Sequence, residues 1–309
     1  HTNDRRQRQM CIRDRSKILP LFLLIFSFVN SQDLPSPTWE DINYAGNNYE
    51  YNNMDIYLPG LDKENYPVII TIYGSAWKSN RSKAGNYIKE KLIKPLLDSG
   101  FAVASINHRS SSDAAFPAQI HDVKASIRFI RANADKYNFD QNFIGITGSS
   151  SGGHLSAMAG TTSHVNLMNG NVGNHTNFDS HVDAVVDWFG PTNFLIMDEC
   201  GSRITHNNPD SPESLLIGNP IQDYKKDVML ANPITYINKR TPPFLIIHGM
   251  LDLTVPPCQS KVLHEALKEN NLESNLILIK DGKHGPLVFT KKYIDLMTDF
   301  FIDQLNKKI

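Results

Sequence analysis

Apolar residues along this chain fall in short blocks separated by polar stretches containing Gly and Pro, and the blocks alternate between two spacings. Residues 49–58 alternate apolar with polar and stop at Pro59-Gly60, the pattern of a strand. Pro67 introduces residues 68–73, a β-branched run with no polar face, as expected of a strand buried on both sides. Tyr87, Ile88, Leu92, Ile93 and Leu96 then follow helical spacing up to a capping Gly100. Residues 101–106 predict a strand; Ile120, Val123, Ile127, Phe129 and Ile130 predict a helix; residues 143–147 predict the next strand. Residues 161–180, rich in Asn, His and Gly, predict a loop, and residues 182–189 resume the sheet. Residues 192–233 are too long and irregular for an ordinary connection, as a substrate-facing insertion would be. Strands over 243–249 and 275–279, a helix over 261–268 and an apolar stripe from Tyr293 to Leu305 complete the pattern. Strand and helix alternate, which implies βαβ crossovers and a mostly parallel sheet covered by helices on both faces. Catalytic groups are then expected at the C-terminal ends of the strands.

Composition changes this picture little. A chain of 309 residues, 40% hydrophobic, can bury one sizeable core. Its formal net charge of -1 gives no general attraction to nucleic acid or to an anionic membrane. The N-terminus is different in kind. Residues 1–15 are Arg-rich, lack periodicity and read as a non-native leader. Residues 16–31 pair a positive start with about a dozen apolar residues and a small-residue cleavage site, the pattern of a signal peptide. That block is shorter than the roughly 20 residues a permanent membrane anchor needs, and a buried core helix is the alternative reading. Residues 32–48 read as a linker, leaving 49–309 as the catalytic domain. A periplasmic or secreted protein gives the cysteines meaning. Cys200 and Cys258 alone remain in the mature chain, either paired as a disulfide or as two separate buried thiols.

The chemistry centres on Gly148-Ser149-Ser150-Ser151-Gly152, which joins the strand at 143–147 to an apolar segment that can start a helix. A Gly-x-Ser-x-Gly in that context is a nucleophile elbow with Ser150 at its tip, although the same letters could also be a flexible linker. A serine hydroxyl is a weak nucleophile that needs a base oriented by an acid. Asp252, in His-Gly-Met-Leu-Asp-Leu-Thr-Val-Pro, and His284, in Asp-Gly-Lys-His-Gly, each lie just past a strand end. The order Ser, Asp, His is the one expected of an α/β-hydrolase. Tyr73-Gly74-Ser75-Ala76-Trp77 ends the 68–73 strand, where backbone amides can face a substrate oxygen.

These segments, with Phe-Pro-Ala-Gln-Ile-His-Asp at 116–122 and Asp-Trp-Phe-Gly-Pro-Thr at 187–192, resemble the bacterial esterases related to bifunctional feruloyl and acetylxylan esterases. The resemblance runs from about Tyr49 to the C-terminus. It implies the α/β-hydrolase fold with a small cap-like insertion at 192–233. It also implies Ser150 as nucleophile, His284 as general base then acid, Asp252 as the group that orients it, and the amides of Ser75, Ala76 and Ser151 as oxyanion hole. The implied substrate is a small or polysaccharide-linked ester, with no cofactor. Two positions depart from the group: Tyr73 stands where it has His, and Ser75 where it has a Gly able to adopt backbone angles a serine resists. Trp77 and Trp188 are candidates for a substrate subsite or for ordinary packing. His154, Asp122 and Asp187 read as structural contacts, and no metal is indicated, because His121, His175 and His181 lack ligand spacing. The rival readings are a serine peptidase of prolyl-oligopeptidase type, which normally carries a large N-terminal propeller, and a binding protein on an inactive hydrolase scaffold.

Overall fold

In a computed structural model that describes residues 34–60 and 63–308, the 68–73 run lies mid-sheet as expected. Strand β3 (Tyr66–Ile72) is buried at every position and sits between β4 (Ala102–Ile106) and β5 (Phe139–Ser149). Its side chains divide between two cores: Val68, Ile70 and Ile72 face one, and Ile69 faces the other. That division is why the run has no polar face.

The eight strands are ordered β1-β2-β4-β3-β5-β6-β7-β8, with β1 (Trp39–Asn43), β2 (Asn53–Tyr57), β6 (Ala184–Trp188), β7 (Phe244–Gly249) and β8 (Ser274–Ile279). From β4 to β8 the pairing is parallel, while β1 and β2 run antiparallel at one edge. Helices α1 (Ala118–Ala132), α2 (Ser151–Thr161) and α5 (Cys258–Glu269) cover one face through Ile120, Ile127, Leu155, Met158 and Leu263. The other face is covered by α6 (Lys291–Asn306), through Met297 and Phe301, and by the helical turns over residues 86–98, through Leu92 and Leu96.

Two expectations change. The proposed leader at 1–15 and signal peptide at 16–31 lie outside the described residues, as do the first two positions of the linker assigned to 32–48, but within that range Trp39–Asn43 forms strand β1 of the sheet. Trp39 pairs with Ile56, and the Tyr44 hydroxyl, on a residue 1% exposed, donates to the Asn107 carbonyl at 2.9 Å. Period-two alternation fails there because the register shifts between Trp39 and Ile42, at Asp41 with φ 53°. Residues from Leu34 onward accordingly form one unit. The 161–180 loop contains a short helix, Asn166–Asn169. The insertion at 192–233 packs onto the core. Its helices α3 (Pro212–Ile217) and α4 (Lys225–Leu230) bury Leu216, Ile217 and Val228 in the same core as α2. Ser211 caps α3, its hydroxyl accepting the Ser214 N–H, and Gly218 ends it in the left-handed region.

The sheet ends are tied by polar contacts with buried carboxylates. Asp122 on α1 accepts both the backbone N–H and the guanidinium of Arg109, just beyond β4. Asp187 at the end of β6 accepts the Gly190 N–H at 2.9 Å, and burial pushes its carboxyl up to about 7 despite that bond.

Candidate active site

The turn from β5 into α2 is made by Ser150, at φ 55° and ψ -123°, a conformation that L-residues avoid unless the surroundings impose it. Here they do. The Ser150 N–H donates to the Trp188 carbonyl at 2.8 Å, and both flanking glycines are sterically obligatory. A Cβ on Gly148 would come within 2.4 Å of the Gly152 carbonyl oxygen, and one on Gly152 within 2.3 Å of the Ile72 carbonyl oxygen.

Two loops beyond neighbouring strands bring the partners. The Ser150 hydroxyl donates to His284 Nε2 at 3.1 Å, and His284 Nδ1–H donates to Asp252 Oδ2 at 2.7 Å. The other carboxylate oxygen, Oδ1, accepts the backbone N–H groups of Thr254 and Val255, each at 2.9 Å, which fixes its orientation. Burial opposes ionisation of Asp252, but hydrogen bonds from His248 and His284 outweigh it and hold the carboxyl at about 2. The three side chains named from the sequence are thus brought together, in an arrangement that can activate a hydroxyl and return its proton.

His248 went unnoticed in the sequence except as a strand-end marker. It is fully buried, with Nε2 2.9 Å from the Val255 carbonyl and 3.3 Å from Asp252 Oδ2. Both neighbours only accept, so Nε2 carries the proton, and Nδ1 accepts from the Ser260 hydroxyl at 2.6 Å. The spacing His-x-x-x-Asp after a strand was the available signal.

The 73–77 loop, expected to form the oxyanion hole, departs from expectation in two ways. Ser75 does not carry the strained backbone; Ala76 (φ 52°) and Trp77 (φ 55°) do. The Ser75 N–H is also engaged within the protein, donating to Ser151 Oγ at 2.9 Å, so it does not join the amides of Ala76 and Ser151 as a free donor. Ser151 opens α2, where a first-turn N–H lacks an intrahelical acceptor. Gly74 permits the close approach of loop and elbow, since a Cβ there would meet the Ser149 carbonyl oxygen at 2.6 Å.

Trp77 and Trp188 are not subsite residues. They are 1% and 0% exposed, Trp77 packed edge-on against His154 and Trp188 stacked on Phe289 at 4.4 Å. The cleft at Ser150, about 420 Å³, is lined instead by Tyr73, Tyr87, Ile88, Phe189 and Phe289. Phe189 follows Trp188 but turns at φ 45° and sets its ring 4.8 Å from that of His284. A period-two reading cannot anticipate that turn. His154 Nε2–H donates to the Ala231 carbonyl, 2.7 Å away, and burial lowers its imidazole to about 4, so it packs rather than titrates. Cys200 and Cys258 are joined, with S–S 2.15 Å and Cα atoms 6.3 Å apart. Among the described residues no cluster of three His, Cys, Asp or Glu side chains could hold a metal ion. Nor is any helix among them long and apolar enough to cross a membrane.

Residues 54–267 match the BD-FAE family model. The chain belongs to the BD-FAE family. The BD-FAE match includes Ser150 and Asp252 and ends before His284. Among solved structures, a truncated carbohydrate esterase from gut microbiota is 46% identical with a TM-score of 0.83, covering 89% of this chain and 98% of that one. A bifunctional GH43-CE protein of Bacteroides eggerthii is 49% identical with a TM-score of 0.81, covering 86% of this chain and 35% of that one. Esterase LipC of Mycobacterium tuberculosis is 31% identical over 202 residues, 65% of this chain and 48% of LipC. The chain spans about half the length of such mycobacterial relatives. With the sheet order above, these likenesses establish the α/β-hydrolase fold for this BD-FAE member.

Proposed function

We propose that this chain is a serine carboxylic ester hydrolase acting through an acyl-enzyme at Ser150, on short-acyl or hydroxycinnamoyl esters linked to polysaccharide. The observation that carries the reading is the hydrogen-bonded chain from Ser150 through His284 to Asp252. Ser150 Oγ attacks the ester carbonyl as His284 Nε2 takes its proton, and ionised Asp252 stabilises the imidazolium. The tetrahedral oxygen is received by the amides of Ala76 and Ser151, while Ser151 Oγ holds the Ser75 amide and with it the loop. His284 then protonates the departing alcohol, and water releases the acyl group by the same steps in reverse. The aromatic lining of the 420 Å³ cleft supports room for a hydroxycinnamoyl as well as an acetyl group. The carbohydrate esterase among the solved relatives supports a sugar alcohol. The proposed export of the mature enzyme is supported by the Cys200–Cys258 bond, which a reducing cytosol does not favour.

The test is a fluorophosphonate titration of wild type and Ser150→Ala, with p-nitrophenyl acetate turnover measured on both. Wild type should label once per chain, and the variant should remain unlabelled with turnover lower by about 10⁴ or more. Wild-type turnover in Ser150→Ala would refute the assignment. Acetyl, feruloyl and longer acyl esters assayed side by side then rank the acyl group.

A further inference from the structure

A second cavity, of about 480 Å³, also borders His284. It shares only Thr254 and His284 with the cleft that contains Ser150, and its remaining walls are Arg203, Ile204, Leu251, Leu253 and Lys283. The chemistry divides the substrate between the two spaces. The acyl group stays bonded to Ser150 and so occupies the first cleft. The alcohol receives its proton from His284, so it leaves past the imidazole, toward the second cavity.

That cavity carries a local excess of positive charge on a chain whose formal net charge is -1. Arg203 and Lys283 bring two cations to it, and among the described residues neither side chain has an ion-pair partner. Between them lie Ile204, Leu251 and Leu253, which are 39%, 49% and 37% exposed. The position of Arg203 is built rather than incidental. Its N–H donates to the Leu253 carbonyl at 2.8 Å, the Ser202 hydroxyl donates to the same carbonyl at 3.1 Å, and the Cys200–Cys258 bond fastens the start of the segment. The insertion at 192–233 therefore contributes a cation on an anchored backbone to the cavity that borders His284, which gives this segment a purpose at the site.

We propose that this cavity is the subsite for the leaving alcohol and that it selects alcohols carrying a carboxylate, as a uronate-bearing glycan does. The guanidinium of Arg203 suits a planar carboxylate in two-pronged geometry, Lys283 adds a point charge, and the aliphatic side chains suit the C–H face of a sugar ring. The inference rests on the hydrolase reading above and adds the charge class of the alcohol.

The experiment compares two acetyl esters of nearly equal shape, those of 3-hydroxybenzoate and 3-hydroxybenzamide, at pH 7 and low salt. Wild type, Arg203→Gln, Lys283→Gln and the double variant are assayed, with active sites counted by fluorophosphonate so that misfolded protein is excluded. The ratio of kcat/KM for the anionic over the neutral ester should be about tenfold in wild type, fall stepwise in the single variants, approach one in the double variant and shrink as salt is added. Acetylated xylo-oligosaccharides with and without a glucuronate branch should show the same order. A wild-type ratio near one, or a ratio that the double variant leaves unchanged, overturns the subsite. Failure of wild type to cleave either ester would sink the hydrolase reading itself.

Discussion

The backbone N–H of Ser75 and the hydroxyl of Ser151 are hydrogen-bonded at 2.9 Å, and this bond ties the 73–77 loop to the first residue of the helix that follows Ser150. It shows how a serine is accommodated at the position where the resemblance leads one to expect glycine: the left-handed backbone lies at Ala76 and Trp77, and Ser75 is held by its amide. Removing the acceptor should release the loop. Ser151→Ala is expected to lower kcat on an acetyl ester about fivefold with little change in KM, the worth of one ordinary hydrogen bond. An unaltered kcat would mean that packing of Trp77 alone positions the loop.

Asp252 receives two imidazoles on one oxygen, His284 at 2.7 Å and His248 at 3.3 Å. Asp252→Asn should lose about 10⁴ in kcat, because an amide cannot hold His284 in the required tautomer. His248→Gln should cost far less turnover but destabilise the protein by roughly 1–3 kcal/mol, since the Val255 carbonyl and Ser260 hydroxyl lose a buried partner. Urea unfolding of the two variants separates these effects: a large stability loss in Asp252→Asn with mild loss of turnover would reverse the assigned roles.

Asp187 carries a pH dependence of the opposite sign to that of Asp252. Burial raises its folded-state value to about 7, against about 3.9 in the unfolded chain. The folded protein therefore binds this proton more tightly, and stability falls as pH rises from about 4 to about 7, then levels off. Asp187→Asn should remove that fall. Its melting temperature is expected to exceed that of wild type at pH 8 and to match it near pH 4. Parallel curves for the two proteins across this range would show that Asp187 is ionised in the folded state.

The Cys200–Cys258 bond closes a loop with a sequence separation of 58. In the chain-entropy account, such a loop stabilises by about 4 kcal/mol. The Cys200→Ser, Cys258→Ser double variant should therefore melt roughly 10 °C lower by calorimetry. The same melting temperature with and without reductant in wild type would argue that the bond constrains little.

What the sequence determined by itself was local and periodic. The β-branched run at 68–73, the glycines two residues either side of Ser150, and the placement of Asp252 and His284 just past strand ends were legible because each depends on neighbours in the chain. Helical stripes such as Leu92 and Leu96 were legible for the same reason. What only the tertiary structure decided were contacts between distant segments and the direction of side chains. Trp77 and Trp188 have the composition of a sugar-binding site, yet the packing of His154 and Phe289 against them puts both in the core. Phe189, one residue further on, reaches the cleft because the backbone turns to a positive φ. Strand β1 was hidden by a register shift at Asp41, and the engagement of the Ser75 amide by a hydroxyl 76 residues away has no trace in spacing. The elbow and its partners could be read from the chain because glycine sterics and strand ends act locally. The shape and charge of the space around them could not, because they arise where the insertion at 192–233 meets the loops carrying Asp252 and His284.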